Sequence, residues 1–373
     1  MTRVLNIISD TNIGGAGLSL LNYINNRGPE FEVSVALPRG GMLAPRLAEL
    51  GVRCYETNGI SDRSLDLSAV RELKKIIRDA DPDIVHTHGA MAGRIAARLC
   101  GKAVVFTRHS AFPLSSRLTH GLGRAVYGAL SNRLADRAIA VSPVCRDDLI
   151  SGGMDPLKID VVLNGTDPLP IPDSMRRMEA RHFFGIADGE FTAGIPARIE
   201  PYKGHIYILD AVRALLDRGR ELTVLIAGTG TAEDAVKAKA EELRLGEHVR
   251  FLGFVSDTES FYSALDLQLN ASYIEATSMS LIEGMSMGLP AVVSSSGGNP
   301  AVIEDGVNGL VFPTRDSAAL ADRIERIMDS PELARTLSAG ALDVYSRRFT
   351  GAAFARGVED TYRKALEGRA NGR

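Results

Sequence analysis

The sequence predicts an α/β protein of two doubly wound, Rossmann-like domains. Three observations carry this. Short apolar strands alternate with helical stripes along nearly the whole chain. Twice, such a strand ends in a loop that opens a helix: Val4 to Ile8 before Gly14-Gly15-Ala16-Gly17, and Phe191 to Pro196 before the stretch from Arg198 to Gly204. Between the two series, the strand Ile159 to Leu163 is followed by Asn164-Gly165-Thr166-Asp167 and by Pro168, Pro170 and Pro172. Prolines at spacing two make a stiff link. The expected domains are therefore 1–170 and 171–350, with 351–373 as a closing helix.

The bulk numbers fit. With 373 residues, 45% hydrophobic and 24% charged, the chain is long enough for two cores. A net charge of −3 gives no field that favours nucleic acid. Cys54, Cys100 and Cys145 form no Cys-x-x-Cys, so neither a disulfide framework nor a zinc site is suggested, and a reducing cytosol fits. No apolar run approaches the roughly 18 residues of a membrane span. The N-terminus enters a strand directly, without the apolar core of a signal peptide. A cytoplasmic protein is expected.

In the first half, Phe31 to Leu37 and Val52 to Tyr55 read as strands, and Met42 to Leu50 and Leu67 to Ile77 as helices. Asp79-Ala-Asp-Pro-Asp83 precedes a strand and contains Pro82, so it reads as a turn, not a metal-binding Asp-x-Asp. The strand Ile84-Val85-His86-Thr87-His88 puts both histidines on one face at the carboxyl end of the sheet. No neighbouring carboxylate or cysteine completes a metal set. Thr107-Arg108-His109 follows the next strand, Ala103 to Phe106. From Arg94 to Arg137 there are eight lysines and arginines and one carboxylate, Asp136. Leu118, Leu122, Val126 and Leu130 form one stripe in this region. The plain expectation is an amphipathic helix docked on the sheet; the other is a peripheral patch for anionic lipid.

In the second half, Arg198 and Lys203 sit between a strand and the stripe Ile208, Ala211, Val212, Leu215, Leu216. Two cations at that edge suit a diphosphate. Glu200, between them, is expected to face solvent or bond one of them. Gly228-Thr229-Gly230 ends the strand Leu222 to Ala227. Phe254 follows the strand Val249 to Leu252 and is either core or a surface platform. Glu275 and Glu283 stand eight positions apart, with Thr277, Ser278 and Ser280 between them and Gly288-Leu289-Pro290 closing the helix. The amides of Ser280, Leu281 and Ile282 would then be free for a phosphate. Ser280-Leu-Ile-Glu283 also has the pattern of a capping box, which would occupy Glu283 with its own helix start.

Glu-x7-Glu followed by Gly284-Met-Ser-Met-Gly-Leu-Pro-Ala-Val-Val293 and Gly297-Gly298 resembles the donor-site signature of retaining glycosyltransferases of family 4, which have the GT-B fold. Arg198 with Lys203 and Asn164-Gly-Thr-Asp167 extend the resemblance over most of the chain. It implies two Rossmann-like domains with an interdomain cleft, an acceptor domain first and a nucleotide-sugar domain second, and a last helix that crosses back to the first domain. It implies that Glu275 fixes donor sugar hydroxyls and Glu283 the ribose. Arg198, Lys203 and the helix start at Ser278, Ser280 and Leu281 would hold the diphosphate. Gly15 and Gly228 would face the donor, Phe254 would lie on the base, and backbone near Val255 would read it. His88 would orient donor and acceptor, with Gly14, Ala16, Arg108 and His109 on the acceptor side. Further acceptor contacts are expected near Gly40-Gly41, Ser61 to Ser64 and Phe112 to Ser116. Ala276 and Thr277 depart from the family's usual residues, and Glu304 is either a shifted motif glutamate or plain helix.

The implied activity is sugar transfer from a nucleotide diphosphate-sugar to a hydroxyl of a sugar or lipid-linked acceptor, in cell-envelope polysaccharide or glycolipid synthesis. It needs no metal and no other cofactor, and has no nucleic acid partner. Contact with the inner face of the membrane would run through the basic region 94–137. A nicotinamide oxidoreductase would need a full glycine fingerprint, which neither glycine loop supplies. A non-enzymatic sugar-binding protein would have no use for Arg198 and Lys203 together. A sugar-nucleotide epimerase or another GT-B enzyme is the nearer rival.

Overall fold

The computed structural model describes residues 1–58 and 66–371. The chain divides into two compact units, Met1–Asp167 with Gly351–Arg373, and Pro168–Thr350. The loop Ser61 to Ser64, expected to meet an acceptor, lies outside the described residues.

The first unit is built on β1 (Thr2–Ile8), β2 (Phe31–Pro38), β3 (Arg53–Thr57), β4 (Ile84–His88), β5 (Ala103–Arg108), β6 (Arg137–Ala140) and β7 (Ile159–Val161). They pair in parallel in the order β3-β2-β1-β4-β5-β6-β7. Parallel strands are covered on both faces and so carry near-continuous apolar runs. Leu5 and Ile7 of β1 meet Leu73, Ile77, Ala92 and Ala96 from two helices on one face. Val4 and Ile8 meet Leu20, Ile24, Phe354, Val358 and Tyr362 on the other. The Gly351–Asn371 helix thus packs beside the Gly15–Asn26 helix as part of the first unit's core. Helix Leu67–Ala80 starts where the Asp66 side chain accepts from the Ser68 and Ala69 amides, and stops at Asp81, which is left-handed at φ 40. Asp79 pairs with Arg53, and Asp81 with Arg3 and Lys102, so the Asp-x-Asp is not a separate turn but the end and C-cap of this helix, tied to residues at the starts of strands.

One expectation is corrected here. Helix Gly121–Leu134 does not dock its leucine stripe on the sheet. Leu122 is 80% exposed and Val126 58%, while Gly128, Ser131 and Leu134 are buried. The cause is close approach to the turn at Gly153. A Cβ added at Gly128 would lie 2.6 Å from the Gly153 carbonyl oxygen. Only the small-residue face fits there, so the large apolar side chains turn outward.

The second unit has β8 (Thr192–Pro196), β9 (Thr223–Ala227), β10 (Val249–Gly253), β11 (Leu267–Asn270), β12 (Ala291–Ser294) and β13 (Gly309–Phe312), all parallel, in the order β10-β9-β8-β11-β12-β13. Ile208, Val212, Leu215, Leu320 and Ile324 cover one face, and Phe261, Tyr262, Leu265 and Leu289 contribute to the other. Each sheet reverses its strand order once, between β1 and β4 and between β8 and β11. Open α/β sheets bind ligands in the crevice beyond the carboxyl ends of the strands at such a reversal. Among the described residues no helix is long and apolar enough to cross a membrane.

Candidate active site

At the reversal in the second unit, the loops after β8 and β11 are pressed together. Pro201–Lys203 forms a single tight turn, and Gly204 follows at φ 72. A Cβ at Gly204 would lie 2.2 Å from the Ala271 carbonyl oxygen, so this position needs glycine for both its conformation and its neighbour. The Tyr273 amide donates to the Tyr202 carbonyl at 2.9 Å. The contact brings Lys203 Nζ to 2.7 Å from Glu275 Oε2. Ser272 Oγ donates to the same oxygen at 3.0 Å, and Asn270 Nδ2 reaches it at 3.5 Å. From the other side the Gly298 amide donates to the Glu275 carbonyl at 2.8 Å. Arg198 is exposed and donates to the Tyr202 hydroxyl at 2.8 Å. Arg198, Tyr202, Lys203 and Glu275 therefore form one contiguous row of cations and carboxylate at the sheet edge.

Helix Met279–Ser286 opens beside it. Its cap is Ser278, whose side chain accepts from the Leu281 amide at 3.4 Å; the Ile282 amide donates to the Ser278 carbonyl. Two expectations change. The amides of Leu281 and Ile282 are not free; those that a helix start leaves without an intrahelical acceptor are Met279 and Ser280. The capping box on Ser280 does not form, because the cap is two residues earlier and Glu283 falls one turn into the helix. Glu283 instead accepts at 2.8 Å from the hydroxyl of Tyr262, which also lies 3.1 Å from the Ser280 carbonyl. Burial pushes the Glu283 carboxyl above its ordinary value, and the Tyr262 bond opposes that. Glu283 is thus anchored by the body of the unit rather than by its own helix start.

Gly228 sits at φ 145 with the Ala197 carbonyl 2.1 Å from where its Cβ would be, so the fold alone requires glycine there. Glu200 bonds neither cation: its Oε2 accepts from Thr231 Oγ1 at 2.6 Å. Phe254 is 81% exposed, which excludes the core reading and leaves a bare aromatic face just past β10. Val255 next to it packs inward. Glu304 pairs with Arg348 at 2.6 Å.

In the first unit, β4 brings His86 and His88 together, ring centroids 4.4 Å apart. His86 is held by Tyr362 and Thr107, each at 2.7 Å, and serves the core. His88 Nδ1 is 2.9 Å from His109 Nε2, and His88 Nε2 is 3.1 Å from Asn6 Oδ1. With Asn6 Oδ1 as acceptor, His88 carries its proton on Nε2, and Nδ1 receives the proton of His109 Nε2. Burial depresses all three histidines: His86 to about 3, His109 to about 4, and His88 well below its ordinary value, with the neighbouring rings adding to the burial effect on His86 and His88. They are neutral near pH 7. β5 extends through Arg108, whose guanidinium is ion-paired with Asp148 and donates to the Phe112 carbonyl at 2.7 Å, so it braces that loop. Gly14 caps helix Gly15–Asn26 at φ −98, and a Cβ at Gly14 or Gly15 meets nothing within 4 Å. The turn itself therefore does not demand glycine, which leaves room for a group close to the backbone. Ala16 lies on the first turn of that helix.

Sequence reasoning missed Asn6, Tyr202, Tyr262 and Tyr362. Each acts through a partner, and only Tyr202, four residues after Arg198 and adjacent to Lys203, lay close enough in the chain to be found.

Two family models match the chain: Glycosyltransferase Family 4 over residues 13–168 and Glycosyl transferases group 1 over residues 177–343. The chain is 30% identical over 311 residues to a D-inositol 3-phosphate glycosyltransferase of Frankia alni, covering 76% of this chain and 74% of that one. It is 25% identical over 281 residues to the UDP-Gal:alpha-D-GlcNAc-diphosphoundecaprenol alpha-1,3-galactosyltransferase of Escherichia coli, covering 72% of each. Among solved structures, Anabaena HepE in complex with UDP and glucose superposes with a TM-score of 0.83 at 22% identity, over 97% of this chain and 99% of that one.

Proposed function

This chain belongs to the family 4 glycosyltransferases and has their GT-B fold, and on that premise we propose that it transfers a sugar from a nucleotide diphosphate-sugar to a hydroxyl of a glycan or lipid-linked acceptor, with retention at the anomeric carbon. The observation that carries the proposal is the Lys203–Glu275 contact beside Arg198 and the Met279–Ser286 helix start. When the bond from the anomeric carbon to the diphosphate oxygen breaks, negative charge grows on the phosphate and positive charge on the sugar ring. Arg198, Lys203 and the Met279 and Ser280 amides meet the first, preorganised and partly dry. Glu275, held by Lys203 and Ser272, holds sugar hydroxyls next to that charge. Glu283 takes the ribose, Phe254 lies on the base, with backbone near Val255, and the turn at Gly228 faces the nucleotide through its backbone. His88, neutral and fixed in one tautomer, orients donor and acceptor, with His109 behind it and Gly14, Gly15 and Ala16 lining the approach. The acceptor proton passes to the departing phosphate oxygen, so no covalent nucleophile and no metal is required. The first unit serves the acceptor and the second the donor. Contact with the inner face of the membrane, where lipid-linked acceptors are displayed, is part of the same reading.

Arg198→Ala and Lys203→Ala are each expected to lower turnover on the order of 10²–10³-fold, as when a preorganised charge donor is removed. The measurement is product formation from UDP-, GDP- and ADP-sugars with and without acceptor, which also separates transfer from hydrolysis and epimerisation. Near-wild-type turnover in both variants removes the proposed cradle. The anomeric configuration of the product tests retention, and turnover in excess chelator tests independence from metal.

A further inference from the structure

The loop after β13 holds a strained residue. Pro313 to Asp316 is a four-residue turn, closed where the Asp316 amide donates to the Pro313 carbonyl at 3.0 Å. Its third residue, Arg315, is left-handed at φ 68, and Thr314 before it is not. Such a turn favours glycine or asparagine at its third position, because a larger side chain crowds the backbone there. Arginine does nothing for the turn itself. Its guanidinium lies 4.4 Å from the centroid of the Tyr273 ring, and it has no carboxylate or hydrogen-bond partner among the described residues. A residue held in a rare conformation points to a use for its side chain.

Tyr273 gives that use. The segment from Tyr273 to Glu275 belongs to no helix or strand, so its neighbours must hold it. The loop after β8 holds the Tyr273 amide, at the Tyr202 carbonyl. The loop after β12 holds its carbonyl, which accepts from Ser296 Oγ at 2.8 Å. The loop after β13 holds its ring, through Arg315. That last loop is itself tied to the one after β12, where Ser295 Oγ accepts from the Thr314 amide at 3.3 Å. We propose that Arg315 is a positioning residue for Glu275: stacked on Tyr273, it fixes the loop that presents the carboxylate two residues on. The proposal rests on the reading of Glu275 as the holder of donor sugar hydroxyls, and it adds the β13 loop to that site. A planar guanidinium over an aromatic face suits the task, since the attraction is directional and leaves the charge solvated. Strain at Arg315 is then exchanged for precision at Glu275. Removing the arginine should leave the fold no weaker and the sugar less well held, whereas a merely structural stack predicts the reverse.

The test compares wild type with Arg315→Gly and Arg315→Asn, which both suit a left-handed turn, and with Tyr273→Leu and Tyr273→Phe. Each is assayed with the UDP-, GDP- or ADP-sugar that wild type turns over, and titrated with the matching free diphosphate. Arg315→Gly, Arg315→Asn and Tyr273→Leu are expected to lower kcat/KM for the nucleotide-sugar roughly 10- to 100-fold, as a small misplacement does. Their affinity for the free diphosphate should not change, because Arg198, Lys203 and Phe254 are untouched. Tyr273→Phe keeps the ring and should keep the activity. The thermal midpoint of Arg315→Gly should hold or rise by about 2–4 °C. In a Glu275→Ala background, Arg315→Gly should weaken nucleotide-sugar binding no further. Unchanged kcat/KM in both Arg315 variants overturns the proposal. So does an equal loss of affinity for the free diphosphate, a lowered midpoint, or an additive effect on Glu275→Ala. A wild type that neither binds a nucleoside diphosphate nor turns over any nucleotide-sugar removes the donor-site reading instead, and this proposal with it.

Discussion

Asn6 lies fully buried in the middle of β1, and its carboxamide oxygen faces His88 Nε2. This one contact sets which nitrogen of His88 holds the proton, the tautomer on which its proposed orienting role rests. The prediction is specific. In protein labelled with ¹⁵N-histidine, His88 should show the Nε2-protonated neutral tautomer from pH 8 down to 5, as its depressed proton affinity requires. Asn6→Asp places a carboxylate where the amide was, which favours the imidazolium; the pair should then titrate inside that range. An unchanged histidine spectrum in Asn6→Asp would remove Asn6 from this role. His88 itself was legible in the sequence, by its place at the end of an apolar strand and by family resemblance. Asn6 was not, because its partner is 82 residues away and an asparagine in a strand has no periodic signal.

For single elements, the sequence shows that a face or a start exists, and tertiary contact decides which one is used. Thr277, Ser278 and Ser280 are all competent caps; Ser278 takes the position, and Tyr262, from another helix, claims Glu283. Periodicity marks a Leu118 to Leu130 stripe, but Leu118 falls on the separate short helix Ser116–Thr119, and the direction of the rest is set by the Gly128–Gly153 approach. The end of β10 was equally open, and there the exposure of Phe254 decides it. Base stacking on an aromatic contributes roughly 1–3 kcal/mol by alanine substitution. Phe254→Ala should therefore weaken nucleotide binding about 5- to 150-fold by calorimetry with UDP, GDP or ADP, while the thermal midpoint of the free protein stays put. A lowered midpoint with unchanged affinity would return Phe254 to a structural role.

Over the whole molecule, the alternation of strands and helices made the two α/β domains legible, and the prolines after Asp167 marked the joint. The strand orders were not legible, because parallel pairing joins segments far apart in the chain. Those orders place the glycine loop and His88 at one sheet's reversal, and Arg198, Lys203 and Glu275 at the other's. Burying neutral histidines has a cost that also belongs to this scale. His86, His109 and His205 have folded-state values of about 3, 4 and 4, below the ordinary 6.5. Below 6.5 the unfolded chain takes up protons that the folded chain refuses, so stability is full above that pH and falls as pH drops toward 4. Each histidine contributes roughly 1.4 kcal/mol per pH unit in that window. Urea midpoints should fall between pH 7 and 5, and His86→Gln should flatten the slope; an identical slope would contradict the assignment. The central claim is that the row of Arg198, Lys203 and Glu275 receives a diphosphate. It is tested most directly by calorimetric titration of UDP, GDP and ADP, and of the matching monophosphates, into wild type and into Arg198→Ala/Lys203→Ala. The account predicts that one diphosphate binds wild type more tightly than its monophosphate and that this difference disappears in the double variant. An undiminished preference for the diphosphate in the double variant would contradict it.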